Sequence, residues 1–341
     1  LDKGTLDVNI GGGTFNGDIG VVAQGFAVTA TDEIAITNGT FNGSVIPGIT
    51  IKSEITGGIF SEIVDATYYP ADFVLCVNDE GKYTVARPDS IPSGWSQAIV
   101  TVEMGMGSAS IQKGFATIQQ AIDSASQLAN EGIDPSIVKI TLHDDVKENI
   151  VVPKLEWTSE KGTTYVRTVR LYLNGCTLTG ADNSPVITNN GTFYLYAERK
   201  VNVGGNVLRS TDSVGVVIKN NGTMTLYNNG ISVKNLNTAD VSYLIENNSK
   251  LTFSSSTYDG GVNTYAAAGG NLILNNEAAT VTINKGNVNG SIYNNGGTVS
   301  IKGGTYSEIP DTNISPTAMS GRKTRAELLT RLSRKKLLWR L

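Results

Sequence analysis

The densest group of reactive side chains in the sequence is His143-Asp144-Asp145, followed by Lys147 and Glu148. An imidazole beside a carboxylate can act as a general base, and two adjacent aspartates can hold calcium through hard oxygen ligands. The run follows a strand-like stretch, where Asp-Asp is also ordinary turn chemistry. No second titratable cluster in the sequence completes a catalytic set with it. The chain has one His and two Cys, Cys76 and Cys176, so a zinc centre built from those residues is excluded. Calcium at the aspartate pair is the one cofactor left open.

Tyr194, Tyr196, Tyr227 and Tyr258 are the candidate ligand-binding residues, with Tyr243, Tyr265 and Tyr293 in comparable surroundings. An exposed tyrosine can stack on a sugar ring or anchor a protein partner. The competing reading is that several of them line a core or shield strand edges.

Charge narrows the partners. The chain holds 27 bases and 31 acids, and residues 321–341 take eight of the bases and one acid. The 19 bases and 30 acids left give residues 1–320 a formal charge of −11, which argues against nucleic acid as a partner of the body. Leu328, Leu329, Leu332, Leu337, Leu338 and Leu341 fall largely on one side of a helical pattern in the basic tail. Such a helix could contact an anionic membrane or a partner. No stretch approaches the ~18 continuous apolar residues of a membrane span. The sequence starts at Leu1, already inside a strand-like pattern, and is read as a fragment.

The elements that carry these residues repeat. With 38 Gly against 9 Pro and many Asn and Thr, the composition describes short strands joined by tight turns. One unit reads Ile34-Ala35-Ile36-Thr37-Asn38-Gly39-Thr40-Phe41, with relatives at Leu6–Gly17, Gly57–Val64, Thr282–Gly290 and Gly303–Ile309. A second series places Asn-Asn pairs at 189–190, 220–221, 247–248, 275–276 and 294–295. After each pair the sequence alternates: Phe193/Leu195, Met224/Leu226, Leu251/Phe253, Val281/Ile283 and Val299/Ile301 share one face. Tyr194, Thr225, Thr252, Thr282 and Ser300 share the other. A two-residue apolar strip cannot form a core alone, but coils stacked ~4.8 Å apart make one continuous column. In that stack the paired Asn side chains are expected to form ladders, as in cross-β structures, rather than a ligand site. The Thr and Ser column resembles an ice-binding array, but Tyr194 and the uneven coil lengths argue against that use. Phe115, Ile118, Ala121, Ile122, Ala125, Leu128 and Ala129 fall on one face of a predicted helix over 115–130, ended by Gly132.

Phe115–Asp123 followed by Val138–Val146, and then Leu171–Gly180, resembles the opening of pectate-lyase-like right-handed β-helices. Gly57–Val64, Tyr69–Phe73 and Asn78–Val85 look like the closing segment of β-helix repeat regions in large surface proteins of gut anaerobic bacteria. The resemblance implies an all-β, right-handed parallel β-helix. Residues 1–85 would end a first β-helical segment, and 86–110 would be a connection. Residues 111–310 would form a second β-helix with a capping helix over 115–130, ahead of the basic, helix-patterned tail 311–341. The combined polygalacturonase-type signature, paired Asp followed by Gly-His-Gly and an Arg-x-Lys, is absent, because the only His is flanked by Leu142 and Asp144. The expected function is therefore a non-catalytic stalk and adhesive surface, monomeric and extracellular or on the bacterial surface, binding glycans or host proteins. A polysaccharide lyase or glycoside hydrolase on the same scaffold is the alternative.

Overall fold

A computed structural model describes residues 7–20, 33–46, 52–106, 109–197, 205–227, 230–254 and 263–307. The basic tail and Tyr258 lie outside the described residues. The chain forms two compact units. One comprises the residues up to Glu103 together with Ile111–Ala121, and the other Met104–Ser110 and the chain from Ile122 on.

In the first unit, strand Asp7–Phe15 pairs in parallel with Glu33–Phe41, which pairs in turn with Lys52–Ile55 and Ile59–Phe60. Equivalent positions of the Gly-x-Phe unit therefore lie above one another. Phe15, Phe41 and Phe60 stack with ring centroids 5.0 and 4.8 Å apart, over a core containing Ile34, Ile36 and Ile55. The glycine two residues before each ring is required by geometry: Gly39 and Gly58 have φ of +124° and +106°. The parallel series then gives way to an antiparallel hairpin, Val74–Asn78 with Tyr83–Ala86. The stretch 86–110, read from sequence as a connection, carries the strands Trp95–Gln97 and Val100–Met106 and the start of Ala109–Phe115.

The helix runs Ile118–Asn130, shorter at its start than the apolar pattern predicts. Phe115 still belongs to a strand, and the Thr117 hydroxyl accepts from the Gln120 amide at 3.1 Å, so Thr117 is the N-cap. At the other end the Ile133 amide donates to Leu128 O across Gly132 at φ +78°, a Schellman-type stop. Ile118, Ala121, Ile122 and Ala125 are fully buried, as the amphipathic pattern requires.

The second unit is a solenoid-like stack of parallel strands in three rows. The first row is Ile137–Leu142, Thr164–Tyr172, Thr192–Tyr196, Thr223–Leu226, Lys250–Phe253, Thr280–Ile283 and Thr298–Ile301. The second row starts at Val146–Lys147 and Thr177–Thr179, then Gly205–Arg209 and Ile231–Asn235. The third holds Ile150–Val152, Ile187–Asn189, Ile218–Asn220 and Ile245–Asn247. Two long strands, Thr264–Asn275 and Asn287–Asn294, run through the second row into the third. One antiparallel hairpin interrupts the pattern, Leu155–Thr158 against Thr164–Arg167.

The core follows from the alternation. Val169, Leu171, Phe193, Leu195, Met224, Leu226, Leu251, Phe253, Val281 and Ile283 are all fully buried. Each contributes about 1.5–3 kcal/mol of apolar burial relative to an exposed side chain. The first row keeps one-to-one register from Thr168 to Ile301 with no shift. The uneven coil lengths are taken up elsewhere: Thr264–Asn275 and Asn287–Asn294 lose register between Ala266 and Ile273.

The Asn-Asn pairs form two ladders of opposite polarity. In the inner one Nδ2 of Asn189 donates to Asn220 Oδ1, Asn220 to Asn247, Asn247 to Asn275 and Asn275 to Asn294, at 2.7–2.8 Å. The same Nδ2 groups also donate to first-row carbonyls of the next coil, Thr223, Lys250, Thr280 and Thr298. In the outer ladder Asn276 donates back to Asn248, Asn248 to Asn221 and Asn221 to Asn190. The inner residues are sealed from solvent and every one is paired, so these turns are structural.

Candidate functional site

Outward side chains of the first row stand in three columns, because successive coils are in register and side chains alternate. The column at the strand ends holds Tyr172, Tyr196 and Tyr227, each following a buried leucine, Leu171, Leu195 and Leu226. Tyr172 and Tyr196 stack with centroids 4.6 Å apart and 6° between planes, and Tyr196 and Tyr227 at 4.2 Å and 14°. Those separations are close to the coil spacing itself, so the scaffold sets the stack. Tyr194, in the middle column, meets Tyr227 edge-on at 5.5 Å. The Lys139 ammonium lies 5.6 Å from the Tyr172 ring centroid, a cation–π contact.

Three of the four sequence-nominated tyrosines, Tyr194, Tyr196 and Tyr227, are thus brought together. Tyr172 joins them, and sequence reasoning missed it. The signal was present: Leu-Tyr recurs at 171–172, 195–196 and 226–227, always at the end of a first-row strand. Packing among the rings changes what the cluster offers. Between neighbours the ring faces are taken by each other; Tyr172 is buried, and Tyr194, Tyr196 and Tyr227 are half-buried. Burial, then a hydrogen bond to Tyr227, hold the Tyr196 phenol far above its ordinary pKa, so it is a neutral hydrogen-bonding group. Tyr265 is a core residue: it is fully buried, edge-on to Phe253 at 4.6 Å, and its hydroxyl accepts from Asn263. Tyr243 and Tyr293 make a looser pair at 6.5 Å.

His143, Asp144 and Asp145 sit at the first turn of the stack, exposed. Asp145 accepts from the Thr177 amide of the next coil at 2.7 Å, and Asp144 accepts from the Asp145 amide at 2.7 Å. Crowding by neighbouring atoms lowers the His143 imidazole below its ordinary value, although its surface is largely open. Both carboxylates thus serve the backbone of the turn. Among the described residues no three of His, Cys, Asp and Glu gather as a metal site. Cys76 and Cys176 are free.

A polar network absent from the sequence reading occupies the corner between the second and third rows. Arg209 is fully buried and donates to the carbonyls of Asp182, Ser184 and Val216 at 2.8, 2.6 and 2.7 Å. In the next coil Asp240 accepts from the Gly215 amide and from Asn235 Nδ2, at 2.7 and 2.8 Å. These side chains satisfy the backbone of long loops that have no ladder of their own.

The fold and this face define a solenoid-like stack of parallel strands with one side lined by tyrosine, hydroxyl and amine groups. No protein-family model, curated protein or solved structure matches the chain.

Proposed function

We propose that the chain is a non-catalytic segment of a bacterial cell-surface or secreted protein, built on a right-handed parallel β-helix of the pectate-lyase-like kind. It serves as a stalk and as an adhesive surface for glycans or host proteins. The observation that carries this reading is the unbroken first-row register from Thr168 to Ile301. It holds tyrosine edges and hydroxyls in fixed rows, a pre-ordered surface that loses little entropy on binding. The parallel crossovers favour the right-handed turn, the hand taken in about 98% of such connections. The helix Ile118–Asn130 is read as covering an open strand edge ahead of the coils, an edge that would otherwise invite aggregation.

The test is incubation with a panel of pectins, host glycans and immobilised host proteins. Retention without turnover is the expected result. Release of unsaturated or reducing sugar ends would replace the adhesive reading with the lyase or hydrolase one.

A further inference from the structure

The charges on the first-row face are distributed unlike those of the chain as a whole. Residues 1–320 carry a formal charge of −11. Yet the outward positions of the seven strands from Ile137–Leu142 to Thr298–Ile301, with Lys302 after the last, hold Lys139, Arg170, Lys250 and Lys302 and no acid among the described residues; Glu103 is on Val100–Met106, the strand before them in the same sheet. Arg170 stands beside Tyr194 in the pairing of adjacent strands, and Lys139 beside Arg170. Lys250 pairs across to Thr223 and Thr280. Lys302 continues the last strand, its amide donating to Ile283 O at 2.8 Å. Arg170, Lys250 and Lys302 are exposed. Asp144, Asp145, Asp182, Asp212, Asp240 and Glu277 of these coils lie in the turns instead, Glu246 is on a third-row strand, and Glu156 is on the Leu155–Thr158 hairpin strand.

These four bases are strung along the stack rather than gathered at one point. They occupy the first, second, fifth and seventh strands of the row, so at about 4.8 Å per coil they span roughly 29 Å. Between them run Thr192, Thr223, Thr225, Thr252, Thr280 and Thr282, with the tyrosine edges alongside. A small anion would use one base only. A chain of sugars carrying acid groups at intervals can meet the separated bases with its charges, and the intervening hydroxyl rows with its own hydroxyls.

Building on the adhesive reading above, we propose that the first-row face binds a linear acidic glycan laid along the stack, with Arg170 and Lys250 supplying charge contacts. Complementary charge gives such a surface its selectivity and its salt dependence. A single-stranded nucleic acid fits less well, because it binds by stacking bases on open aromatic faces, and here neighbouring tyrosine rings cover one another's faces.

The experiment measures binding of the whole chain to heparin and polygalacturonate as acidic probes. Dextran and mannan serve as neutral probes, and an oligothymidylate as the nucleic-acid probe. The acidic glycans should bind best, losing about tenfold or more in affinity between about 50 and 200 mM salt. The double variant R170E/K250E should lose binding at least about tenfold while keeping its circular dichroism, since both side chains are exposed. Lys147→Glu, the same charge change on the second row, should bind as the parent does. Equal losses in Lys147→Glu would reduce the effect to net charge and overturn the assignment to this face. Salt-insensitive binding of dextran or mannan at equal strength would overturn the acidic specificity and leave the adhesive reading standing. Equal affinity for the oligothymidylate would overturn the glycan assignment. Failure to bind any glycan would overturn this inference, and the adhesive reading would fall as well only if the immobilised host proteins were also not retained.

Discussion

The Nδ2 of Asn220 donates to the Oδ1 of Asn247 at 2.7 Å, and both side chains are fully shut off from solvent. Asn247 passes the pattern on to Asn275, so each amide is donor to one coil and acceptor from another. Asn247→Ala therefore strands the Asn275 oxygen and one hydrogen on Asn220. An unsatisfied buried polar group costs about 1–3 kcal/mol, so urea denaturation should show a loss of that order or somewhat more. Asn294→Ala, at the end of the ladder, should cost less. Equal stability of Asn247→Ala and the parent would mean that the ladder contributes nothing net.

Gly222 and Gly191 stack backbone on backbone in successive turns. A Cβ built on Gly222 would collide with Gly191 O, which is main chain and has no room to move aside. Gly222→Ala should destabilise the unit by about 1–3 kcal/mol, the range for overpacking. Gly12→Ala is the control, because a Cβ there meets nothing within 4 Å. Thermal melts of the two variants should differ in this order.

Arg209 ties together loops of two coils through three carbonyls. Arg209→Met keeps much of the apolar stem but leaves those carbonyls without a donor, at an expected cost of about 3 kcal/mol or more. Limited proteolysis should then cut first within the loops around 182–184 and 210–216, where the lost bonds lie. Unchanged protease resistance would show that water replaces the guanidinium without penalty.

Asp240 gives the corner a pH dependence. Burial opposes ionisation of its carboxyl, but hydrogen bonds from Ser242, the Gly215 amide and Asn235 outweigh it and hold the pKa below 3.8. A carboxyl whose folded pKa is depressed adds stability above its unfolded value and loses it as pH falls through the folded one. The parent should therefore be more stable than Asp240→Asn at neutral pH, and the gap should narrow as pH drops below 3.8. Denaturation at a series of pH values measures it, and a gap that widens in acid contradicts the assignment.

Much of the second unit was legible in the sequence, for a reason particular to stacked coils. Contacts form between equivalent positions of successive repeats, so a repeat in the sequence is already a contact in space. Asn189, Asn220, Asn247, Asn275 and Asn294 fell into one ladder on that basis, and Phe193 and Leu195 into one core column. The tyrosine cluster was legible only in part. Tyr194, Tyr196 and Tyr227 were nominated as separate residues, whereas their contacts with one another depend on which strand ends lie adjacent. Tyr172 escaped notice because its strand begins as an irregular hairpin that hides the repeat.

Residue types and spacing alone determined the alternation of inward and outward positions and the recurrence of the Asn turns, because both are local periodicities. Tertiary structure decided the rest. It set the opposite polarity of the two Asn ladders: the inner amides also reach first-row carbonyls of the next coil, whereas the outer amides donate to the side chain of the previous coil. It brought Arg209 under loops of unequal length, a contact no period encodes. It also placed the slack of the unequal coils in the corners, leaving the first-row face in register. Strand pairing is cooperative across a whole row, whereas a loop only has to close, so length variation collects in the loops.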